Sequence, residues 1–272
     1  MVATQLTRTR RRRPNRRSRE SRWSIALPPV LTILGFIGLW WAVVEVFNIA
    51  TYVIASPPQV VRELGSSSGL LMQNLWPTVF ETVLGFILGN LVAIVLAVVF
   101  VYSKSIERSI FPVVVFVRMI PIVAVAPVLV VIFGTGYTPK VVIAALISFF
   151  PTLVNMVKGL KAADPQALEL FHVLSASKQQ VFFKLRWFSA LPYLFASLRI
   201  ASTTSVIGAV VAEWIGSQTG LGFLIVQSTY NFNIPLLYAT MVVTAVFASI
   251  FYLLVGIVER VTVRWDASDA LP

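Results

Sequence analysis

The sequence predicts an all-α polytopic membrane protein with about six transmembrane helices and with both termini in the cytoplasm. Hydrophobic residues make up 57% of the 272-residue chain and charged residues 12%, and the mean hydropathy is +0.84. A soluble domain carries about 25% charged residues, so most of this chain is expected to face lipid or its own apolar interior. Several apolar runs also reach the roughly 20 residues that a helix needs to cross a bilayer.

The chain begins with an arginine-rich segment, residues 1–24, which holds nine arginines and the single acid Glu20. Positive charge beside an apolar run is typical of the cytoplasmic side of a membrane, so we expect a solvated cytoplasmic tail and no nucleic acid as a partner. The first span is predicted at 25–49. It is too long for the apolar core of a cleaved signal peptide.

An outer segment follows at 50–77, where two prolines and a series of valines and leucines predict short amphipathic helices at the membrane interface. The remaining spans are predicted at 78–102, 110–133, 140–157, 193–215 and 236–258. They form a five-helix core, residues 78–258, that contains a cytoplasmic loop at 158–192. A second cytoplasmic tail follows at 259–272. Gly85 and Gly89 in the second span form a pattern that permits close helix packing.

The distribution of basic residues sets the predicted orientation. With the amino terminus inside, the cytoplasmic segments carry 18 of the 22 lysines and arginines, whereas the outer segments carry only Arg62 and Lys140. Since cytoplasmic loops are enriched in Lys and Arg, this distribution predicts that both termini are cytoplasmic.

The loop at 158–192 contains two predicted helices. Asp164 precedes a proline at the first helical position, as at a helix N-terminus, and Ser177 with Gln180 forms a capping box for the second helix. The apolar residues of the first helix recur at three-residue spacing: Leu168, Phe171 and Leu174. Two such helices either enter a groove on a cytoplasmic partner or lie on the bilayer surface, and the pattern alone leaves both open.

The same loop resembles the EAA loop of binding-protein-dependent ABC importer permeases. In that family an acidic residue is followed six positions later by glycine, and then by an Ile-x-Leu-Pro element. Here Glu169 occupies the acidic position, Ser175 stands at the glycine position and Leu185 at the isoleucine position. Residues 187–188 (Trp-Phe) stand where Leu-Pro is usual, and 191–192 (Leu-Pro) match a second Leu-Pro of one branch. The serine requires a turn that a residue with a Cβ adopts.

Other stretches of residues 55–265 resemble the same family. They are 118–121 (Arg-Met-Ile-Pro), 133–136 (Phe-Gly-Thr-Gly), 149–155 (Phe-Phe-Pro-Thr-Leu-Val-Asn), 211–216 (Val-Ala-Glu-Trp-Ile-Gly) and 219–225 (Thr-Gly-Leu-Gly-Phe-Leu-Ile). The nearest branch is the one that serves nitrate, sulfonate, taurine, thiamine-precursor and riboflavin-type uptake.

The resemblance implies the type I ABC importer permease fold in the inner membrane, with no cofactor. It implies a translocation pathway for a small solute, with a sulfonate, nitrate or vitamin precursor as candidates. The implied partners are a cytoplasmic ATP-binding-cassette ATPase, an extracytoplasmic substrate-binding protein and a second permease copy, in a homodimer. The residues implied in coupling to the ATPase are Asp164, Ala167, Leu168, Glu169, Phe171, His172, Leu174, Ser175, Ala176 and Ser177.

The chain itself is not expected to be an enzyme. It has no P-loop pattern, so the ATPase activity would reside in a partner subunit. It has no cysteine, which excludes thiolate metal sites, and its single histidine, His172, argues against a histidine-based metal site. A stand-alone secondary transporter or channel is the alternative, but the internal repeats or paired broken helices often seen in that class are not evident.

Ionisable residues inside the spans complete the candidate sites. A charge at the bilayer centre costs about 2.5–3.5 kcal/mol, so Glu81, Arg118 and Glu213 are expected to face protein or water. Arg118 lies close to the kink-forming Pro121. It either pairs with Glu81 or Glu213, which we favour, or lines the pathway of an anion. Arg118, Pro121 and Glu213 are therefore the candidate pathway or gate residues.

Overall fold

A computed structural model describes residues 22–263. The predicted tail at 1–24 lies almost wholly outside this range, as does the larger part of the predicted tail at 259–272. The chain divides into two compact units, residues 1–49 and 50–272. In the first unit the described part contains one helix, α1 (Arg22–Val46), of which Leu27–Val46 is apolar enough to cross a membrane.

The second unit is helical throughout its described residues. Four of its helices are long and apolar: α3 (Ser68–Tyr102), α6 (Tyr137–Lys161), α9 (Trp187–Glu213) and α11 (Ile234–Thr262). The shorter ones are α2 (Pro57–Ser66), α4 (Lys104–Arg118), α5 (Ile122–Phe133), α7 (Pro165–Val173), α8 (Lys178–Val181) and α10 (Leu221–Tyr230). A π-helical turn, Phe182–Arg186, joins α8 to α9.

The predicted third span is not a single helix. Helices α4 and α5 meet at an angle of 97°, so the span predicted at 110–133 with a kink at Pro121 is instead a pair of helices with a sharp break between them. Pro121 lacks an N–H group and disfavours a helical conformation at Ile120, and its own ψ of 123° lies outside the helical range. The described residues therefore contain five continuous candidate spans, and a sixth if the bent pair counts as one.

Helices α3, α6 and α9 form the centre of the second unit. Glycines bring α3 and α6 together: a Cβ added to Gly85 would lie 2.9 Å from the Val141 carbonyl oxygen, and one added to Gly89 would lie 2.6 Å from Ser148 Oγ. This confirms the predicted close packing at these glycines. Large apolar side chains fill one end of the bundle, including the fully buried Phe100 and Leu160.

Helices α3 and α6 run parallel to each other and α9 runs antiparallel to both, so the bundle has two chemically different ends. The start of α3, the start of α6 and the end of α9 meet at one end through buried hydrogen bonds. We call this the polar end. The end of α3, the end of α6 and the start of α9 meet at the other, where the segment 162–186 is attached. We call this the loop end.

Candidate coupling loop and buried polar cluster

The loop between α6 and α9 is built from two capped helices, as predicted. The Asp164 carboxylate accepts a hydrogen bond from the Gln166 backbone N–H at 3.0 Å, at the start of α7. Ser177 and Gln180 form both bonds of the capping box at the start of α8, at 2.8 and 3.3 Å. These bonds satisfy N–H groups that a helix N-terminus leaves unpaired. The two helices are therefore specified by local sequence.

The turn between the two helices is left-handed at Ser175, whose φ is +52°. The Ala176 N–H donates to the Phe171 carbonyl at 3.0 Å, which closes the end of α7. A left-handed residue just after a helix is most often glycine, because a Cβ raises the energy of this conformation. Ser175 stands where the resembled loop has glycine, and it adopts the conformation that glycine favours.

Helix α7 presents uncovered apolar side chains. Leu170, Val173 and Leu174 are 57%, 79% and 68% exposed. Glu169 and His172 on the same helix are also exposed, and within residues 27–263 Glu169 has no ion-pair partner. Of the predicted apolar residues, Leu168 and Phe171 are half-buried and Leu174 is exposed, so the uncovered side of α7 is the one that carries Leu170, Val173 and Leu174.

The second helix of the loop, α8, runs on without interruption into α9 and contacts the bundle. Residues 178–213 form an uninterrupted helical rod of 36 residues, made of α8, the π-helical turn and α9. Phe182 is 7% exposed and its ring lies 5.8 Å from the ring of Tyr102 at the end of α3. The Arg186 guanidinium donates to the Leu160 carbonyl oxygen at 2.8 Å. Helix α8 is therefore continuous with α9 and is attached to the ends of α3 and α6.

A buried network occupies the polar end. We call it the polar cluster; its side chains are Asn74, Thr78, Glu81, Lys140, Glu213 and Ser217. The Lys140 ammonium donates to Glu81 Oε1 at 2.9 Å and to Ser217 Oγ at 2.8 Å. Lys140 is 5% exposed and Glu81 fully buried, so this ion pair is largely shielded from water. It links α3, α6 and the segment after α9.

Glu213 holds the start of α10 in place. Its Oε1 accepts from the Thr78 hydroxyl at 2.6 Å and its Oε2 from the Gly222 N–H at 2.5 Å. Asn74 Oδ1 accepts from the Gly220 N–H at 3.0 Å, and Thr78 Oγ1 accepts from the Leu221 N–H at 2.8 Å. Three successive N–H groups at the start of α10 are thereby paired with side chains of α3 and α9.

A cavity of about 260 Å³ opens beside the polar cluster. Its lining comes from the start of α6 and from the segment after α9: Thr135, Gly136, Tyr137, Lys140, Gly216, Gln218 and Thr219. Lys140 is the buried member of this lining, and its ammonium lies 5.5 Å from the centre of the Tyr137 ring. The cavity therefore borders directly on the cluster.

The structure separates the three predicted pathway residues. Glu213 lies in the polar cluster and is 1% exposed, whereas Arg118 and Pro121 flank the break between α4 and α5 and are exposed. The favoured pairing of Arg118 with Glu81 or Glu213 is wrong: Glu81 pairs with Lys140, and Glu213 is held by Thr78 and Gly222. In the described part of the chain Arg118 has no ion-pair partner.

The polar cluster as a unit was missed by sequence reasoning. Lys140 and Glu81 are 59 positions apart and Thr78 and Glu213 are 135 positions apart, and no local spacing connects them. A usable signal was the presence of an acid and a base inside two predicted spans, since such charges pair with each other. This signal led to Arg118 as the base, because Arg118 lies well inside its predicted span whereas Lys140 lies at the very start of its own.

The chain was compared with known proteins. The family described as "Binding-protein-dependent transport system inner membrane component" matches residues 89–265. The formylaminopyrimidine transport permease protein ThiX of Halalkalibacterium halodurans is 31% identical over 241 residues, 88% of this chain and 96% of that protein. The riboflavin transport system permease protein RibX of Chloroflexus aurantiacus is 32% identical over 247 residues, 90% of this chain and 91% of that protein.

Two further similarities are more distant. The putative aliphatic sulfonates transport permease protein SsuC of Bacillus subtilis is 26% identical over 261 residues, 95% of this chain and 92% of that protein. Among solved structures, an inward-facing conformation of the MetNI methionine ABC transporter contains a chain with a TM-score of 0.60 and 22% identity. That match covers 72% of the present chain and 97% of the solved one, and it shows the fold.

Proposed function

This chain belongs to the family of binding-protein-dependent transport system inner-membrane components, and we propose that its loop of α7 and α8 couples it to a separate ATPase. It is the permease component of an ABC importer for small solutes, a multi-pass inner-membrane protein with the type I permease fold. The family implies an ATPase and a substrate-binding protein as partners, and a dimeric permease.

The observation that carries the coupling proposal is the exposed apolar face of α7. Leu170, Val173 and Leu174 are uncovered on a helix that is capped at its start by Asp164. A short helix with an exposed apolar stripe enters a groove on its partner. The predicted set from Asp164 to Ser177 supplies this helix, its turn and the cap of α8, and the continuous rod 178–213 carries the displacement into the bundle.

We propose that the loop end is cytoplasmic, as are both termini. The support is the distribution of basic residues, 18 of 22 on the side of the predicted loop, because cytoplasmic segments are enriched in Lys and Arg. The ATPase then binds α7 from the cytoplasm, and the polar end faces the substrate-binding protein.

We propose that residues at the break between α4 and α5 line the translocation pathway. Arg118 is exposed there within an apolar segment and has no ion-pair partner in the described residues. A charged side chain at such a position faces protein or water instead of lipid. A water-filled pathway at the interface with a second permease copy meets this requirement, and the five N–H donors of Arg118 suit a solute with acceptor groups.

For the solute, we propose a heterocyclic vitamin or vitamin precursor ahead of a sulfonate or nitrate. Of the relatives above 30% identity, one is named for formylaminopyrimidine transport and one for riboflavin transport, whereas the sulfonate relative is at 26%. In a permease of this kind the partner binding protein selects the solute, so this ranking concerns the transporter as a whole.

Reconstitution tests the proposal against a stand-alone transporter or channel. The chain is reconstituted in proteoliposomes with the ATPase encoded beside it and with its substrate-binding protein. Uptake of radiolabelled formylaminopyrimidine, riboflavin and taurine is then measured with and without internal ATP. We expect uptake only with all three proteins and ATP. Uptake by the chain alone would overturn the importer assignment, and ATP-driven taurine uptake without riboflavin or pyrimidine uptake would overturn the solute ranking.

A further inference from the structure

Helix α4 is joined to the end of α6 by an ion pair at the loop end of the bundle. The ammonium of Lys161, the last residue of α6, lies 2.5 and 2.7 Å from the two carboxylate oxygens of Glu107 in the first turn of α4. The Glu107 side chain is 21% exposed and the Lys161 side chain 47%. Both carboxylate oxygens accept from the same ammonium, so the pair fixes where α4 begins relative to the end of α6.

The ion pair lies on the face of α4 that contacts the bundle. Glu107, Phe111 and Val114 are the half-buried residues of α4, and their spacing of four and three residues places them on one face of the helix. The Phe111 ring lies 6.3 Å from the ring of Phe100 on α3, which is fully buried, and Val114 packs against the same apolar cluster. Since α4 has no fully buried residue, these contacts hold it at the loop end.

Helix α5 is attached to the bundle at a different level. Ala126 is fully buried and packs with Ile143, near the start of α6, and with Ala212, at the end of α9. This attachment is therefore closer to the polar end. Between the two attachments residues 115–121 are all exposed, and the sharp break at Pro121 falls at the end of this stretch. A shift of α4 relative to α5 is most easily taken up at this break, where the helix is already interrupted.

Lys161 also stands where α6 passes into the proposed coupling loop. It precedes by three residues Asp164, which caps the start of α7. The carbonyl of its neighbour Leu160 accepts the hydrogen bond from Arg186 at the far side of the loop. The end of α6 is therefore in contact with both sides of the loop, and through Glu107 it is in contact with α4.

We infer that Glu107 and Lys161 are positioning residues that pass displacement of the coupling loop to α4, and through α4 to Arg118 at its other end. The inference rests on the proposed coupling role of the loop and gives it a second route besides α9. Helix α4 has 15 residues and is about 22 Å long, so a tilt of about 5° at its start moves its far end by about 2 Å. The ion pair stays closed as α4 and the end of α6 move together.

Charge reversal and charge exchange test the pair in proteoliposomes that contain the ATPase and the substrate-binding protein. Glu107→Lys and Lys161→Glu each place like charges opposite one another. Uptake per ATP hydrolysed should fall about fivefold, as for loss of a partly exposed ion pair at the upper end of its usual strength. The double variant Glu107→Lys/Lys161→Glu restores opposite charges and should recover most of the uptake. A merely structural defect at either position would not be repaired in this way.

The control is Lys158→Glu, because Lys158 is an exposed lysine of the same helix without an ion-pair partner in the described residues. It should leave uptake per ATP unchanged. Co-purification of the ATPase should be normal in all four variants. A double variant no better than the single ones would overturn the inference, and so would loss of the ATPase from the single variants, which would assign the pair to the docking surface.

A cross-link tests whether α4 and the end of α6 move together. The chain has no cysteine, so Glu107→Cys/Lys161→Cys supplies the only two thiols. Uptake per ATP should be low before treatment, and a short bifunctional thiol reagent that joins the two positions should restore it. Gel mobility under denaturing conditions checks that the link lies within one chain. A cross-linked transporter that hydrolyses ATP without uptake would show that the helices must separate, and would overturn the inference.

The unchanged chain and Glu169→Lys separate this inference from the proposed function. Uptake by the unchanged chain without ATP, or normal ATP-driven uptake by Glu169→Lys, would contradict the coupling role of the loop, and the inference would fail with it. ATP-driven uptake that depends on Glu169 but is unaltered in Glu107→Lys and Lys161→Glu would overturn the inference alone. Coupling would then proceed through α9 without α4.

Discussion

Arg186 in the π-helical turn donates a hydrogen bond to the Leu160 carbonyl oxygen at 2.8 Å, close to the end of α6. This contact joins the attachment points of the loop on both sides, since α6 leads into the loop and the turn leads out of it. The carbonyl belongs to the last turn of α6, where helix carbonyls have no partner within the helix. Arg186 therefore fixes the loop to the bundle at the point where α8 meets α9.

Replacement of Arg186 by Gln should weaken coupling while leaving the chain inserted. A hydrogen bond from a charged donor contributes about 1.5–3 kcal/mol, and 1.4 kcal/mol corresponds to a factor of ten. ATP-driven uptake in proteoliposomes should therefore fall about tenfold. Arg108→Gln, at an exposed arginine of α4, is the matched control and should leave uptake near its normal rate. Equal losses in both variants would count against a specific role for Arg186.

Charge reversal at Glu169 tests the docking helix. Glu169→Lys changes an exposed residue of α7, so folding and insertion should be normal. Loss of an interfacial charge pair costs about 2–5 kcal/mol, and ATP-driven uptake and co-purification of the ATPase should both drop at least about tenfold. Gln166→Lys, on the same helix, serves as the control. Near-normal uptake by Glu169→Lys would show that this position does not contact the ATPase.

Glycine at Ser175 should be tolerated or favourable. The residue adopts φ +52°, and a left-handed conformation costs a residue with a Cβ about 1–2 kcal/mol. Ser175→Gly should therefore raise the stability of the loop by up to about 1 kcal/mol, after the extra entropy of glycine in the unfolded chain is counted. Thermal unfolding and uptake are the measurements. Ser175→Val should lower both, and a gain of stability in the valine variant would refute the argument.

A methyl group at Gly220 should damage the polar end. Gly220 has φ +112°, and an added Cβ would overlap the Glu213 carboxylate. Overpacking of a filled interior costs about 1–3 kcal/mol, and the backbone conformation adds to this. Gly220→Ala should therefore lower the midpoint of thermal unfolding. Gly65→Ala is the control, since a Cβ there meets open space; a loss of the same size at Gly65 would show that the effect is not local.

Arg118→Gln tests the pathway lining. If the guanidinium contacts the solute in transit, the variant should lower ATP-driven uptake about tenfold, as expected for a lost charged hydrogen bond, while binding of the ATPase is unchanged. Arg199→Gln, where the arginine is paired with Glu259, perturbs a structural ion pair for comparison. Unaltered uptake in Arg118→Gln would place the pathway elsewhere.

Local patterns in the sequence were sufficient for most of the fold. The apolar runs located the spans, and the caps at Asp164 and Ser177 located the loop helices, because these signals depend on neighbouring residues. The break at Pro121 was expected only as a kink. Proline is tolerated inside α5, where Pro127 lies within the helix, so residue type alone does not decide between a kink and a break.

The candidate site was less predictable because it depends on contacts between distant residues. The cost of a charge in the bilayer indicated that Glu81 and Glu213 would face protein or water, and both are buried within the protein. It did not identify Lys140 as the partner of Glu81, since the pairing depends on how α3 and α6 align, which the small residues Gly85 and Gly89 determine. A single sequence records the presence of these residues and not their register.

The unbroken helix from Lys178 to Glu213 has a thermodynamic consequence. It begins at α8, separated by four residues from the proposed docking helix α7, and it ends at Glu213, which anchors the start of α10. Under the proposed coupling, binding at either end therefore changes the free energy of binding at the other. Linkage of this kind is reciprocal. If the polar end binds the substrate-binding protein, as proposed, the factor by which nucleotide changes the affinity for that protein equals the factor by which that protein changes the affinity of the ATPase for nucleotide.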